Sequence, residues 1–433
     1  MRIIQITAGA GRMYCGNCLR DSVLVAAWRR LGQDATMVPV YLPLTVEEPQ
    51  GEASVPVFFG GLTVYLDQKL SWFRGAFPRM RRWLSRPGVL RLVGRFAVRT
   101  QPERVADLTL SMLKGEEGNQ AHELAELVDW LQTTGHPDVV CLSNALLVGA
   151  VRRIKRALGT KIVCLLGGED AFVDAMPEPW KGRIMETLAD RAGDVDLFVA
   201  PSDFYGEYMR EWLGISADRL CVIPPAVDMS GYPSEAEVVY RHRHSEPPVL
   251  GFFARMCREK GLDKLIEAYV ALRRSGMQPK LKLMVGGSCT PTDQQFVALL
   301  RKLLGSHELL DEVAFQPNVD RKNKIRLLHS LTVFSVPVSY REAFGMYVIE
   351  AMAAGVPVVQ PPTNAFPEIV RATGGGVLCD SDDAASLARA IHRLLVDNEL
   401  RIELGLQGYR SVREKFNPAV VAQRYVDAFA RLQ

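Results

Sequence analysis

Short apolar runs alternate with helix-length amphipathic stretches along this chain. "RIIQITA" is followed by "SVLVAAWRRLG" and "DVVCLSN" by "LLVGAVRRIKRALG", and "KIVCLLG", "DLFVAPS" and "RLCVIPP" continue the series. Runs that are apolar throughout, not at alternate positions, predict strands covered on both faces, and helices between them predict a parallel, doubly wound sheet. The pattern stops at Asp228. From there to Pro248 the chain reads "DMSGYPSEAEVVYRHRHSEPP", polar and without apolar periodicity, which predicts a solvated linker over 229–248. His242 and His244 within it have no third ligand at hand, so side chains in solvent are expected, not a metal site.

After the linker the alternation restarts with "VLGFFA", "DKLIEAYVALRRSG" and "LKLMVGG" and runs through "VIEAMAAG" and "VPVVQPP". The expected fold class is therefore α/β, with two Rossmann-like doubly wound parallel-sheet domains over 1–228 and 249–415. A last helix, in "NPAVVAQRYVDAFARL", is expected over 416–433.

One segment breaks the rhythm. Between Trp72 and Arg104 stand nine arginines against a single acid, Glu103, interleaved with Trp72, Phe73, Phe77, Trp83 and Phe96. Arg91, Arg95 and Arg99 recur at four-residue spacing while Leu92, Val93, Phe96 and Ala97 group on another side, the pattern of a basic amphipathic helix. Such a helix fits an anionic membrane surface. It equally fits a surface insertion, or an arginine-rich lid over a phosphate-bearing ligand.

At 433 residues the chain exceeds what one hydrophobic core supports. Its net charge of +3 excludes a chain basic enough throughout to bind nucleic acid by charge, and no nucleic-acid partner is expected. The start, "MRIIQITAGAG", has the length and composition of neither a signal peptide nor a membrane span, so a cytoplasmic protein is expected. Eight cysteines are scattered, several inside strand-like runs, and predict reduced, buried thiols without a disulfide framework.

Chemistry concentrates in "VSYREAFGMYVIEAMAAGVPVV", Val338 to Val359. It reads as a strand end, a loop with Glu342 and Gly345, a helix from about Met346, and the next buried strand. A glycine ahead of a helix N-terminus lets backbone approach a ligand, and the free first-turn amides suit an oxyanion. Carboxylates beside such a site accept hydrogen bonds from hydroxyls, as acidic residues of nucleotide folds do from ribose. Glu342 is assigned to sugar hydroxyls and Glu350 to the ribose. In "GFFARMCREKGLDKLIEA" a buried strand delivers Arg255, with Lys260 at the following helix start; a planar fork and a point charge together match a diphosphate.

"YCGNCLRD", residues 14 to 21, follows the first strand and opens the helix "LRDSVLVAAWRRLG". Cys15 and Cys18 lack the second pair a zinc site requires, and Gly9, Gly11 and Gly16 match neither a Walker loop nor a dinucleotide fingerprint well. A thioredoxin-like redox pair remains compatible with the strand, loop and helix order.

Together these stretches, with "PEIVRATGGGVLCDSDDAASLARAIHRLL" downstream, resemble the retaining family 4 glycosyltransferases of GT-B fold. The resemblance covers most of the chain after Val249 and the first half loosely. It implies two domains facing across a cleft, and metal-independent transfer of a hexose from a UDP- or GDP-linked sugar to a hydroxyl acceptor, a glycan or lipid-linked glycan, with retention. It implies that Arg255 and Lys260 hold the diphosphate, Glu350 the ribose and Glu342 the transferred sugar. Phe344, Gly345 and Met346 offer backbone contacts, with Gly286 and Asn318 nearer the nucleotide and Gly16 and Asn17 approaching the phosphates from the first domain. Many relatives carry a His where this chain has Gly167, so Gly168, Glu169 and Asp170 are expected to serve the chemistry there, or the activity is altered. A sugar-nucleotide epimerase or phosphorylase, or an inactive sensor or scaffold, would share the fold. A place on the inner face of the membrane would follow if the arginine-rich segment binds lipid.

Overall fold

The computed structural model describes residues 1–8, 16–40, 102–244 and 247–432. They form two compact units, one of Met1–Pro224 with Val421–Gln433, the other of Pro225–Val420. Cys15 and the expected basic insertion lie outside the described residues, except for 102–104, which open the helix Pro102–Leu113.

The first unit contains, among the described residues, a six-stranded sheet: β1 (Arg2–Thr7), β2 (Asp34–Pro39), β3 (Val139–Leu142), β4 (Lys161–Leu165), β5 (Leu197–Ala200) and β6 (Leu220–Val222), in the order β2-β1-β3-β4-β5-β6. All pairs are parallel, Ile3 lying opposite Ala35 on one side and Val139 on the other. Every residue of β3 and β5 is buried, as continuous apolar runs require when helices cover both faces. The chain leaves β1 for β2 on one side and resumes at β3 on the other. The C-terminal ends of β1 and β3 therefore flank a topological switch point, where open α/β sheets place their ligands.

Helix Gly16–Arg30 follows β1 and begins at Gly16, ahead of the apolar stripe that marks it in the sequence. It buries Asp21, Leu24, Val25, Ala27 and Trp28, a spacing of one helical face. The Trp28 ring meets Tyr425 edge-on at 5.8 Å and Phe429 at 5.7 Å. Both belong to the last helix, Pro418–Ala430, which from Val421 onward is part of this unit. Enclosing an indole in this way contributes on the order of 2–3 kcal/mol.

The second unit repeats the plan with β7 (Val249–Phe253), β8 (Lys282–Gly287), β9 (Val313–Pro317), β10 (Val333–Phe334), β11 (Val358–Gln360) and β12 (Gly376–Leu378), in the order β12-β11-β10-β7-β8-β9. Its switch point lies between β7 and β10, which pair through Val333 and Leu250. Gly261, at φ 72°, brings the segment after β7 against the one after β10: a Cβ there would stand 1.9 Å from the Pro337 carbonyl oxygen. The Ser339 amide donates to the Glu259 carbonyl at 2.9 Å and fastens the two segments together.

The expected solvated linker over 229–248 is corrected. Residues Glu235–His244 form a helix of the second unit with Val238, Arg241 and His242 buried. Arg241 donates to the carbonyls of His329, Ala354 and Gly355, and His242 Nε2 lies 2.8 Å from the Gly355 oxygen. These contacts take up the carbonyls of Ala354 and Gly355, just beyond the end of helix Met346–Ala353, and of His329, the last residue of helix Arg321–His329. Val238, Arg241 and His242 do share a helical face. Two of the three are ionisable residue types, so the stripe does not read as apolar.

Candidate functional site

Lys260, after β7, and Glu342, after β10, meet at the switch point of the second unit. The Lys260 ammonium donates to Glu342 Oε2 and to the Tyr340 hydroxyl, each at 2.5 Å. The same carboxylate oxygen accepts from Tyr340 at 3.0 Å and from the Tyr347 hydroxyl at 2.9 Å. The ammonium also sits 4.8 Å and 5.2 Å from the ring centres of Tyr340 and Tyr347, where aromatic faces favour a cation. Burial first, and then the Glu342 charge, push the Tyr347 phenol well above its ordinary pKa, so it remains a donor across the physiological range. The other oxygen, Oε1, has no hydrogen-bond partner among the described residues and is available to a ligand. The Lys260 and Glu342 side chains keep 18% and 13% of their surface, enough for a ligand to reach both.

Gly345 lies beside this pair at φ 90° and opens helix Met346–Ala353 without a side-chain cap. A Cβ on it would press to 2.9 Å from the Phe366 ring. The amides of the first turn thus stand without side-chain cover, next to an ammonium. Phe344 turns inward against Phe416, its ring centre 6.1 Å away.

The other expected donor-site residues hold separate partners. Arg255 does not join Lys260 and Glu342: it grips Asp293 through Nε and Nη2 at 2.9–3.1 Å, half of its side chain remaining exposed. Burial opposes ionisation of Asp293, but hydrogen bonds from Arg255 and Thr290 outweigh it and hold the carboxyl below its usual range. Glu350 accepts from Lys324 at 2.7 Å. The main-chain amide of Asn318, at φ 55°, donates to Gly287, and its side chain clasps both main-chain groups of Cys289. At Gly286 a Cβ would strike Leu327 and Phe253 at 2.6 and 2.7 Å, so glycine there permits packing beneath the loop.

In the first unit, Glu169 and Asp170 are placed where the expected chemical role does not fit. They are 3% and 1% exposed. Glu169 accepts from the amides of Ala145 at 2.9 Å and Gly167 at 2.8 Å. The Tyr205 hydroxyl donates to Asp170 at 2.7 Å, lies 3.2 Å from Glu169, and accepts from the Gly168 amide. Burial raises the pKa of Glu169 against the pull of those amides. The two acids brace the loop after β4 and offer little to a substrate. Gly16 and Asn17 form the first turn of helix Gly16–Arg30, where main-chain amides lack helical acceptors. The Sγ of Cys18 lies 3.6 Å from the Thr7 hydroxyl.

Tyr340, Tyr347, Lys324 and Asp293 are absent from the sequence-based set. Tyr340 and Tyr347 flank Glu342 within the quoted motif and could have been found by asking what holds that carboxylate. Lys324 and Asp293 lie 26 and 38 positions from their partners and carry no local signal. Two Asp-x-Asp triplets occur in the chain. Asp194 and Asp196 pair with Arg152 and Lys155, while Asp382 pairs with Lys264. Among the described residues no three His, Cys, Asp or Glu side chains gather as a metal site requires, and no helix is long and apolar enough to cross a membrane.

The sequence profile of glycosyl transferases group 1 matches residues 237–411, and that of glycosyltransferase family 4 matches 104–230. A D-inositol 3-phosphate glycosyltransferase of Xylanimonas cellulosilytica is 29% identical over 59% of this chain and 61% of its own length. A GDP-mannose-dependent alpha-(1-6)-phosphatidylinositol monomannoside mannosyltransferase of Mycobacterium tuberculosis is 28% identical over 56% and 64%. The chain thus spans roughly half to two thirds of the length of the curated relatives it matches. Among solved structures, Anabaena HepE in complex with UDP superposes with a TM-score of 0.68 at 15% identity over the whole of both chains. The sucrose-phosphate synthase of Thermosynechococcus elongatus does so at 0.67 and 18%, over 100% of this chain and 99% of that one. Two profile matches in series, on two Rossmann-like units with the Glu342 to Glu350 motif at a switch point, place this chain in the family 4 glycosyltransferases of GT-B fold.

Proposed function

We propose that the chain transfers a hexose from a UDP- or GDP-linked sugar to a hydroxyl acceptor, with retention at the anomeric carbon. The observation that carries this reading is the Lys260–Glu342 pair beside the open amides of Gly345 and Met346. An ammonium and a helix N-terminus match the oxygens of a diphosphate and stabilise the charge that develops as it departs. Arg255, fixed by Asp293, keeps one face of its fork for the same group. With Oε2 of Glu342 saturated by three donors, Oε1 is left to accept from a sugar hydroxyl, and Glu350 is suited to the ribose. The relatives named for an inositol phosphate and for a phosphatidylinositol mannoside support a polyol or glycolipid acceptor. A lipid-linked acceptor would suit the arginine-rich segment over 72–104 as a membrane-facing element.

The test is calorimetric titration with UDP-glucose and GDP-mannose, followed by detection of released nucleoside diphosphate with a lipid-rich extract as acceptor source. One of the two donors is expected to bind and turn over, and Glu342→Gln to abolish turnover. Binding without turnover under every acceptor would favour a sugar-nucleotide sensor. Unchanged turnover in Glu342→Gln would sink the site assignment.

A further inference from the structure

Three donors converge on a single oxygen of Glu342. Lys260 reaches Oε2 at 2.5 Å, the Tyr347 hydroxyl at 2.9 Å and the Tyr340 hydroxyl at 3.0 Å. A carboxylate oxygen offers about two lone-pair positions, so one of the three donors is surplus. The surplus donor is the one able to move away, and the three are held with unequal firmness.

Tyr347 is fixed. It lies buried in the first turn of helix Met346–Ala353, its ring centre 6.4 Å from that of Phe334 and 6.5 Å from that of Phe366. Tyr340 is tied on both sides, because its hydroxyl accepts from Lys260 at 2.5 Å and passes its own hydrogen to Glu342. The main chain of Glu342 is anchored as well, its amide donating to Asn364 Oδ1 at 3.2 Å. Lys260 alone carries its charge on a flexible stem, with 18% of the side chain exposed, and can follow an anion where the rings cannot.

We propose that Tyr340 and Tyr347 are positioning residues that hold Glu342 Oε2 while Lys260 turns from the carboxylate to the diphosphate of a donor, and so keep Oε1 aimed at a sugar hydroxyl. An ammonium shared between a carboxylate and a diphosphate serves neither fully. Two hydroxyls bonded to a carboxylate are charge-assisted donors that bring no charge of their own, so they take over the oxygen and leave the cation to the phosphates. Without them a half-buried carboxylate would lose its donors on binding and draw the lysine back. The inference rests on the glycosyl-transfer reading and adds to it two residues, neither of them an acid or a cation, that let one site serve diphosphate and sugar together.

Tyr340→Phe and Tyr347→Phe remove the hydroxyls and keep the rings, and with them the packing and the contacts of the rings to the ammonium. Lys260→Gln removes the cation and keeps the hydroxyls. Affinities of the full chain and the three variants for UDP, GDP, UDP-glucose and GDP-mannose are measured by calorimetry. The deciding quantity is the sugar advantage, the affinity for a sugar nucleotide divided by that for its bare nucleotide.

In each phenylalanine variant the bare nucleotide is expected to bind within twofold of wild type while the sugar advantage falls about threefold to tenfold. In Lys260→Gln the reverse is expected: nucleotide affinity falls about tenfold and the sugar advantage stays within twofold. A sugar advantage within twofold of wild type in both phenylalanine variants would overturn the proposal. So would nucleotide affinity falling in step with it there, since the tyrosines would then serve the lysine. A sugar advantage that collapses in Lys260→Gln would overturn the handover, because the lysine would still be holding the carboxylate with donor bound. A wild-type protein that binds none of the four nucleotides would overturn the transfer reading and the inference with it.

Discussion

The C-terminal edges of the two sheets hold similar inventories of charge and use them in opposite ways. At the first, Glu169 and Asp170 are enclosed and hydrogen-bonded to their own loop and to Tyr205, while Arg20 is anchored on a buried Asp21. At the second, Glu342 pairs with Lys260 and Glu350 with a buried Lys324, and Lys260, Glu342 and Glu350 stay partly open. An acid that accepts from fixed amides in a dry interior makes a rigid frame, because breaking any bond there leaves a desolvated charge. A carboxylate paired with lysine, a flexible stem bearing a point charge, can exchange that partner for a ligand at small expense. The same topology thus supports a braced surface in one unit and an exchangeable one in the other.

The largest expected effect breaks the exchangeable side. On the proposed function, Lys260→Gln should lower kcat about 10²- to 10³-fold in a nucleoside-diphosphate release assay, with little change in melting temperature, because it would remove charge stabilisation from a departing diphosphate. A loss under fivefold would mean that the second edge is braced like the first.

The second unit also has a frame, built from bases behind the site. Burial first, and then the charge of Arg241, push His242 down to about 4 from an ordinary 6.5. Between those values the unfolded chain binds a proton that the folded protein refuses. Stability therefore falls as pH drops from about 6.5 to 4 and is level above that window, by up to about 3 kcal/mol. Urea midpoints measured across this range should show the slope, and His242→Gln should flatten it.

Tyr205→Phe tests the acid-based frame. It strips the donor from the buried Asp170 carboxylate and an acceptor from the Gly168 amide, and should destabilise the protein by about 2 kcal/mol in urea titration while nucleotide affinity is kept. Tyr347→Phe makes the smallest change. Glu342 keeps Lys260 and Tyr340, so the sugar-nucleotide KM should rise about threefold to tenfold with kcat nearly unchanged.

How far the molecule was legible varied with the span of the contacts. Strands such as Val139–Leu142 and Lys161–Leu165 announce themselves by unbroken apolar runs, and the loop before Met346 by glycine and acid. The helix Glu235–His244 hid itself because its buried face is made of Val238, Arg241 and His242. The arginine is buried there only because distant carbonyls of His329, Ala354 and Gly355 receive it. Glu169 and Asp170 were misplaced for the converse reason: an acid after a strand reads as chemistry until the tyrosine 35 positions away is seen to occupy it.

By itself the sequence determined the α/β class, the two-sheet plan, the family and the position of the Glu342 to Glu350 segment, since each follows from local periodicity or a contiguous motif. Only the tertiary structure decided which charges pair. It set Lys260 against Glu342, Lys324 against Glu350, Arg255 against Asp293 and Arg20 across Gly167. A hydrogen bond selects its partner by distance in space, and the parallel crossovers that bring β7 beside β10 and β1 beside β3 remove that distance from any window of sequence.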